Sequence, residues 1–166
     1  VRRAVYLSIS VAIVVADWFT KLLVVRNFSL YDSRPVIENF FHLVYVRNTG
    51  AAFGLGANSA HSIVPFLLNG GAIAIFFAVA VIAFRSPLTD ARLQTGLHLI
   101  LGGAVGNLID RFRLGYVIDF LDFFVVVGNK PYHWPAFNVA DSAICVGIGL
   151  LLLDMWSKPE PSEAKA

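Results

Sequence analysis

Two aspartates in this chain stand in apolar surroundings with no basic residue near them in sequence. Asp119 lies within Val117-Ile118-Asp119-Phe120, and Asp141 opens an apolar run with no lysine or arginine within four positions. Two carboxyl groups brought close together cannot both ionise easily, so one apparent pKa rises and the pair shares a proton. The ionised member can take a proton from water as that water attacks a carbonyl. The protonated member can donate to the carbonyl oxygen, and a proton later reaches the leaving amine. That chemistry is peptide hydrolysis with no metal, no cofactor and no covalent intermediate. Other hydrolytic machineries lack their parts. The chain has no Gly-x-Ser-x-Gly, no His-Glu-x-x-His and no phosphate-binding glycine loop, and His42, His61, His98 and His133 show no ligand spacing.

Further polar residues interrupt apolar sequence. Asp17 and Lys21 are spaced i, i+4, so on a helix they share a face and can pair. Asn107, Asp110 and Arg111 follow a glycine-rich run, and Asn138 precedes Asp141. An ionisable residue inside a membrane span is costly and marks function by default. Each also has a structural reading. Asp17 with Lys21 can be a buried pair holding helices together. Asp110 with Arg111 can be an interfacial pair, or Arg111 can meet lipid phosphate. Asn138 can cap a helix, and Gly102-x-x-x-Gly106 suits close helix packing.

The elements that must position these residues are legible in the composition. Of 166 residues, 57% are hydrophobic and 14% charged, with a mean hydropathy of +0.70. A soluble domain carries about 25% charged and about 45–50% apolar residues, so the surplus calls for lipid. Disorder, collagen-like repeats and a disulfide-stapled module are excluded, since Cys145 is the one cysteine. A net charge of +2 gives no reason to expect nucleic acid. A bilayer core of ~30 Å needs about 20 apolar helical residues. Ala4–Val25, Ile63–Phe84, Leu93–Ile109 and Phe137–Trp156 qualify, which makes residues 1–166 a single membrane domain with four spans. The first span follows Arg2 and Arg3 as a signal peptide would, but Asp17 and Lys21 and the lack of a small-x-small site favour a retained helix. The initial valine fits an alternative start codon or trimming.

Basic residues divide six to six between the two sides, but the inner loops are much shorter, which favours both termini inside. Residues 26–62 and 110–136 then lie outside. Val36–Phe41 and Leu43–Val46 lean towards strand and suggest a small sheet on the membrane surface. Phe120–Val127 is apolar enough to pair with it or enter the interface, and Tyr132, His133 and Trp134 are placed like headgroup anchors. The tail, 157–166, is polar with two prolines and reads as disordered. Antiparallel threading brings Asp17, Lys21, Asn107, Asp110, Arg111, Asp119, Asn138 and Asp141 to one level near the outer leaflet, while His98 and Asp154 fall elsewhere.

These residues resemble a known family, the bacterial lipoprotein signal peptidases, or signal peptidase II. Five motifs carry the resemblance: Asp17-Trp18-Phe19-Thr20-Lys21, Asn48-Thr49-Gly50-Ala51-Ala52-Phe53, Gly102 to Arg111, Gly115-Tyr116-Val117-Ile118-Asp119-Phe120, and Phe137-Asn138-Val139-Ala140-Asp141-Ser142-Ala143-Ile144. The resemblance implies an α-helical integral membrane protein, with four transmembrane helices, a small periplasmic β-cradle and a short surface helix. It implies an aspartic endopeptidase of the bacterial inner membrane, cutting a prolipoprotein just before a cysteine already bearing diacylglycerol. By motif position Asp119 and Asp141 would be catalytic. Asn48, Asn107, Asp110, Arg111 and Asn138 would bind substrate, with Asp17, Lys21, Gly50, Gly103 and Gly106 in support. It further implies a monomer whose partners are that substrate, the lipid bilayer and cyclic peptide inhibitors of the globomycin type. The Leu121–Pro135 stretch is more apolar than the resemblance leads one to expect.

A rival class is a small transporter or proton-relay subunit, and a third is a structural assembly factor. Transport favours acids staggered through the bilayer depth, whereas these crowd at one end.

Overall fold

The computed structural model describes residues 2–49 and 64–157. Gly50, the rest of the first outer segment with any surface helix there, and the tail from 158 lie outside the described residues. In chain order the elements are α1 (Arg2–Asn27), β1 (Ser33–Ile37), β2 (Phe41–Asn48), α2 (Val64–Arg85), α3 (Ala91–Leu114), β3 (Val117–Val127), β4 (Lys130–His133) and α4 (Val139–Ser157).

The helices alternate in direction. At one end Arg3 donates to the Phe84 carbonyl at 3.2 Å, the Tyr6 hydroxyl to the Leu88 carbonyl at 3.3 Å, and Arg92 to the Ser157 hydroxyl at 2.8 Å. The start of α1 and the end of α4 therefore share that end. Among the described residues, α1 and α4 are long and apolar enough to cross a bilayer, and Gly70–Arg85 is a shorter apolar stretch. Val11, Phe77 and Leu152 are each 60–62% exposed. An apolar surface of this kind is rare on a soluble monomer and is what lipid covers.

Helix α3 is the hub, packed against α1, α2 and α4. Protein rather than lipid surrounds much of it, which lets it carry buried Gln94, His98, Asn107 and Asp110. It begins at Asp90, whose carboxylate accepts the Leu93 N–H at 3.1 Å. It runs past Ile109, where the apolar reading ends its span, because nothing in Asp110–Leu114 breaks a helix. It stops at Gly115, which takes the left-handed conformation (φ 80°) and donates its N–H to the Arg111 carbonyl. Asp110 and Arg111 are thus helical residues rather than the start of a loop.

The four strands form one antiparallel sheet in the order β1-β2-β3-β4. The turn between β1 and β2 places Asn39 at φ 60°, a conformation asparagine tolerates. A register shift between Leu43 and Val46 gives β2 an extra residue, after which Val46 pairs with Asp119 and Asn48 with Val117. The apolar Leu121–Pro135 stretch becomes most of β3 and all of β4. Val24 at the end of α1 packs with Tyr45, Ile118 and Phe120, joining the sheet to the bundle.

Two glycines of α3 set how closely its neighbours approach. A Cβ at Gly103 would strike the carbonyl oxygen of Ala140 and sit 2.8 Å from Ile144 Cγ1. A Cβ at Gly106 would sit 2.7 Å from the Asp17 carboxylate. Gly103→Ala should therefore destabilise the fold by about 1–3 kcal/mol, the usual cost of overpacking. Thermal unfolding in detergent checks this, and an unchanged midpoint would contradict the contact.

Candidate active site

The site is built where α4 begins. Asn138 is the N-cap, and its Oδ1 accepts the Asp141 N–H at 3.0 Å. The Asp141 Oδ2 accepts the Asn138 N–H in return, at 3.2 Å. This is a reciprocal capping box with aspartate at its third position. From α1, the Asp17 Oδ1 accepts the Ala140 N–H at 3.0 Å, satisfying another donor of the same turn. The start of α4 is thereby fixed by side chains from two helices.

Lys21 lies one turn from Asp17 and is 3% exposed. Its ammonium meets the Asp17 carboxylate at 2.7 Å, the Asp110 carboxylate at 2.8 Å and the Asn107 carbonyl oxygen at 3.2 Å. An ammonium has three donors and no acceptor, and all three are used. The Asp110 Oδ2 also accepts the Ile118 N–H at 3.2 Å, which ties the end of α3 to the start of β3.

This arrangement fixes which way each asparagine points. Lys21 can only donate, so Asn107 must turn its oxygen to it and its Nδ2 to Asp141 Oδ1, at 2.7 Å. The Asp141 N–H can only donate, so Asn138 must turn its oxygen there. The Asn138 Nδ2 then faces Asp119 Oδ1 at 2.8 Å, the Asn107 oxygen at 3.1 Å and the Ile118 carbonyl at 3.3 Å. Asn48, from the end of β2, donates its Nδ2 to Asp119 Oδ2 at 2.9 Å. Each of the four oxygens of Asp119 and Asp141 accordingly receives an N–H donor.

Burial outweighs those donors at Asp119, which is 2% exposed. Desolvation, with the charge of Asp141 adding to it, pushes its pKa up from 3.8 to about 7. The bonds from Asn48 and Asn138 and the charge of Lys21 pull the other way. Asp141 lies half-buried in the first turn of α4, at the positive end of the helix dipole. Two acids in different environments, coupled through one asparagine, can divide the donor and acceptor roles of acid–base catalysis.

The structure gathers Asp17, Lys21, Asn48, Asn107, Asp110, Asp119, Asn138 and Asp141 into one connected set. Gly103 and Gly106 line its helix seams, and Gly50 lies outside the described residues. Asp110 pairs with Lys21, not with its sequence neighbour Arg111. Arg111 is half-buried, and its side chain makes no hydrogen bond or ion pair among the described residues. Sequence reasoning missed the backbone members, the Ala140 and Ile118 N–H groups and the Ile118 carbonyl, because backbone donors leave no mark on residue type. It did contain the signal for the capping box in the spacing of Asn138 and Asp141.

A helical bundle with lipid-facing apolar surface and a connected set of buried polar side chains at one end has the architecture of a membrane enzyme. Solved structures agree. One described as a bacterial membrane enzyme superposes with a TM-score of 0.79 at 26% identity, over 98% of this chain and 94% of that one. A second with the same description gives 0.77 at 29% identity, over 94% and 95%. The family model for signal peptidase (SPase) II matches residues 9–157, and the chain belongs to that family. The lipoprotein signal peptidase of Syntrophotalea carbinolica is 48% identical, over 92% of this chain and 91% of its own. That of Geobacter metallireducens is 51% identical, over 85% and 83%. The protein is therefore a membrane peptidase, and the ion-relay and assembly-factor readings fall.

The raised pKa of Asp119 has a consequence for stability. Its native value, about 7, lies above the unfolded value of 3.8. Its contribution is then fully present below the unfolded pKa and is lost as pH rises through about 7. The unfolding midpoint of the wild type should fall between pH 5 and pH 8, and Asp119→Asn should flatten that slope whatever its own offset. Equal slopes in the two proteins would contradict the raised pKa.

Proposed function

We propose that this chain removes signal peptides from prolipoproteins, cleaving before a cysteine that already carries diacylglycerol, with Asp119 and Asp141 as its catalytic pair. The observation that carries the reading is Asn138, which binds both carboxyl groups and so couples two acids from different elements. The names of the curated relatives support the substrate class.

In this mechanism the pair starts with one proton, held on Asp119, and Asp141 ionised. Water attacks the scissile carbonyl carbon as Asp141 takes one of its protons, and Asp119 gives its proton to the carbonyl oxygen. The resulting diol collapses, breaking the C–N bond. Asp119 recovers its proton from the diol oxygen, and the proton on Asp141 passes to the leaving amine. Neither acid changes its net protonation over the cycle. Arg111, without an acceptor among the described residues, is free to grip substrate carbonyls with a planar fork that lysine lacks. Asn48, through its bond to Asp119, holds that carboxyl group in place without adding charge.

The proposed setting is the bacterial inner membrane, with four spans, the sheet at the periplasmic face and both termini in the cytoplasm. A diacylglyceryl cysteine cannot leave the bilayer, so its scissile bond must be met at the lipid surface. Site placement at the end of the bundle, where the sheet joins α1 and α3, supports this setting. The enzyme works in this reading as a monomer, and cyclic peptides of the globomycin type would compete for the same site.

Asp119→Asn and Asp141→Asn should each lower turnover by at least about 10²–10⁴-fold on a diacylglyceryl prolipoprotein, with insertion and folding retained. The unlipidated precursor should not be cut by the wild type. Near wild-type cleavage by either variant would remove that residue from the pair.

Orientation has its own measurement. A membrane-impermeant maleimide applied to intact spheroplasts should label Asn129→Cys, in the β3–β4 turn, and spare Ser86→Cys, in the α2–α3 turn. The reverse pattern would invert the proposed topology.

A further inference from the structure

On the flank of the bundle, where α1 and α3 reach the sheet, a cavity of about 240 Å³ opens beside the buried ion pairs. Trp18, Leu22 and Val25 of α1, Leu114 of α3 and Ile118 of β3 form its apolar wall, and Lys21 and Asp110 its polar floor. Arg113 lines it as well. That arginine is exposed, and its side chain has no hydrogen bond or ion pair among the described residues. Arg47 flanks the same place. It is the cross-strand partner of Ile118, on the same side of the sheet, and its guanidinium stacks over Tyr116 at 4.7 Å.

The charges around this cavity do not balance. Lys21, Arg47 and Arg113 are three cations, against the carboxylates of Asp17 and Asp110. Lys21 is wholly engaged by its three acceptors, so the excess positive charge sits at the two arginines. One monoanion would neutralise it. The walls add a second requirement. Trp18 is 50% exposed, Val25 43% and Leu114 42%, and this surface continues the lipid-facing side of the helices. A ligand that fits both ends carries one negative charge, planar-fork geometry for guanidinium, and an attached apolar chain.

The geometry points to a bound phospholipid, its phosphodiester held by Arg113 with Arg47 and its acyl chain lying along Trp18, Leu22 and Val25. This ligand differs from the substrate proposed above in carrying a phosphodiester. Neither arginine belongs to the carboxyl pair or its asparagines, though the floor residue Asp110 is shared with that site. Its phosphate gives the arginines a charge-assisted partner, and its seat against α1 and α3 braces the helices that carry Asp17, Lys21 and Asp110.

The test uses the full chain in a non-ionic detergent, with native mass spectrometry for binding and thermal unfolding for its consequence. Three probes separate the sources of the chemistry: phosphatidylglycerol, a diacylglycerol with the same chains, and inorganic phosphate. Phosphatidylglycerol should bind and raise the unfolding midpoint. Arg113→Gln should weaken that binding about tenfold, the effect of losing a charge-assisted contact, and remove most of the midpoint shift. Arg113→Lys keeps the charge without the fork and should fall between the two. Arg85→Gln, on the last turn of α2 at the opposite end of the bundle, should bind as the wild type does. Equal binding by the wild type and Arg113→Gln would overturn the site. Diacylglycerol acting as well as phosphatidylglycerol would leave only a chain-binding groove and overturn the phosphate. The same shift from inorganic phosphate alone would overturn the lipid as the ligand.

Discussion

The structure turns on one ammonium. Lys21 is almost wholly removed from solvent, and burying an unpaired cation costs several kcal/mol even after relaxation. Its position is tolerable only because Asp17, Asp110 and Asn107 converge on it. Those three residues come from two helices, so satisfying the ammonium fixes the depth at which α1 and α3 meet. Asp17 then reaches α4 through the Ala140 N–H, and Asp110 reaches β3 through the Ile118 N–H. The elements that carry Asp141 and Asp119 are thus both moored to this one charge.

The same group sets the polarity of the network around the two acids. Because an ammonium cannot accept and a backbone N–H cannot accept, Asn107 and Asn138 each have one orientation that leaves no donor facing a donor. The amide donors therefore point at the carboxyl oxygens, and the asparagines cannot trade roles by flipping. Opposed influences then act on Asp119. Its donors favour the carboxylate, while burial and the nearby Asp141 charge favour the acid, and burial is the largest of these. A group held near neutrality can give up a proton and regain it within one turnover.

Packing makes this geometry possible. Lipid offers no hydrophobic drive for helices to associate, so close contact depends on small residues and on polar contacts between helices. Gly103 brings α4 against α3 at Ala140, and Gly106 makes room for the Asp17 carboxylate. Gly96 and Gly147 repeat the device further along the α3–α4 seam. The consequence is a central helix able to hold buried polar residues along much of its length, since its neighbours rather than acyl chains meet them.

By itself the sequence determined a good part of this protein. Its apolar surplus required lipid, its runs of hydrophobic residues placed four helices, and the i, i+4 spacing of Asp17 and Lys21 put them on one face. The isolation of Asp119 and Asp141 from any cation in sequence singled both out as candidates, and the motifs around them marked the family. These features are local, and composition or short spacing records them. Tertiary structure decided the rest. It brought Asp110 to Lys21 from far along the chain, where adjacency had suggested Arg111 as a partner. It carried α3 past the end of its apolar run to a glycine that stops it, and set β2 one residue out of register before Asp119. It also made Asn138 at once the cap of α4 and the bridge between two acids. Each of these depends on backbone groups or on residues distant in sequence, whose meeting is settled by packing and by the cost of leaving a buried polar group unpaired.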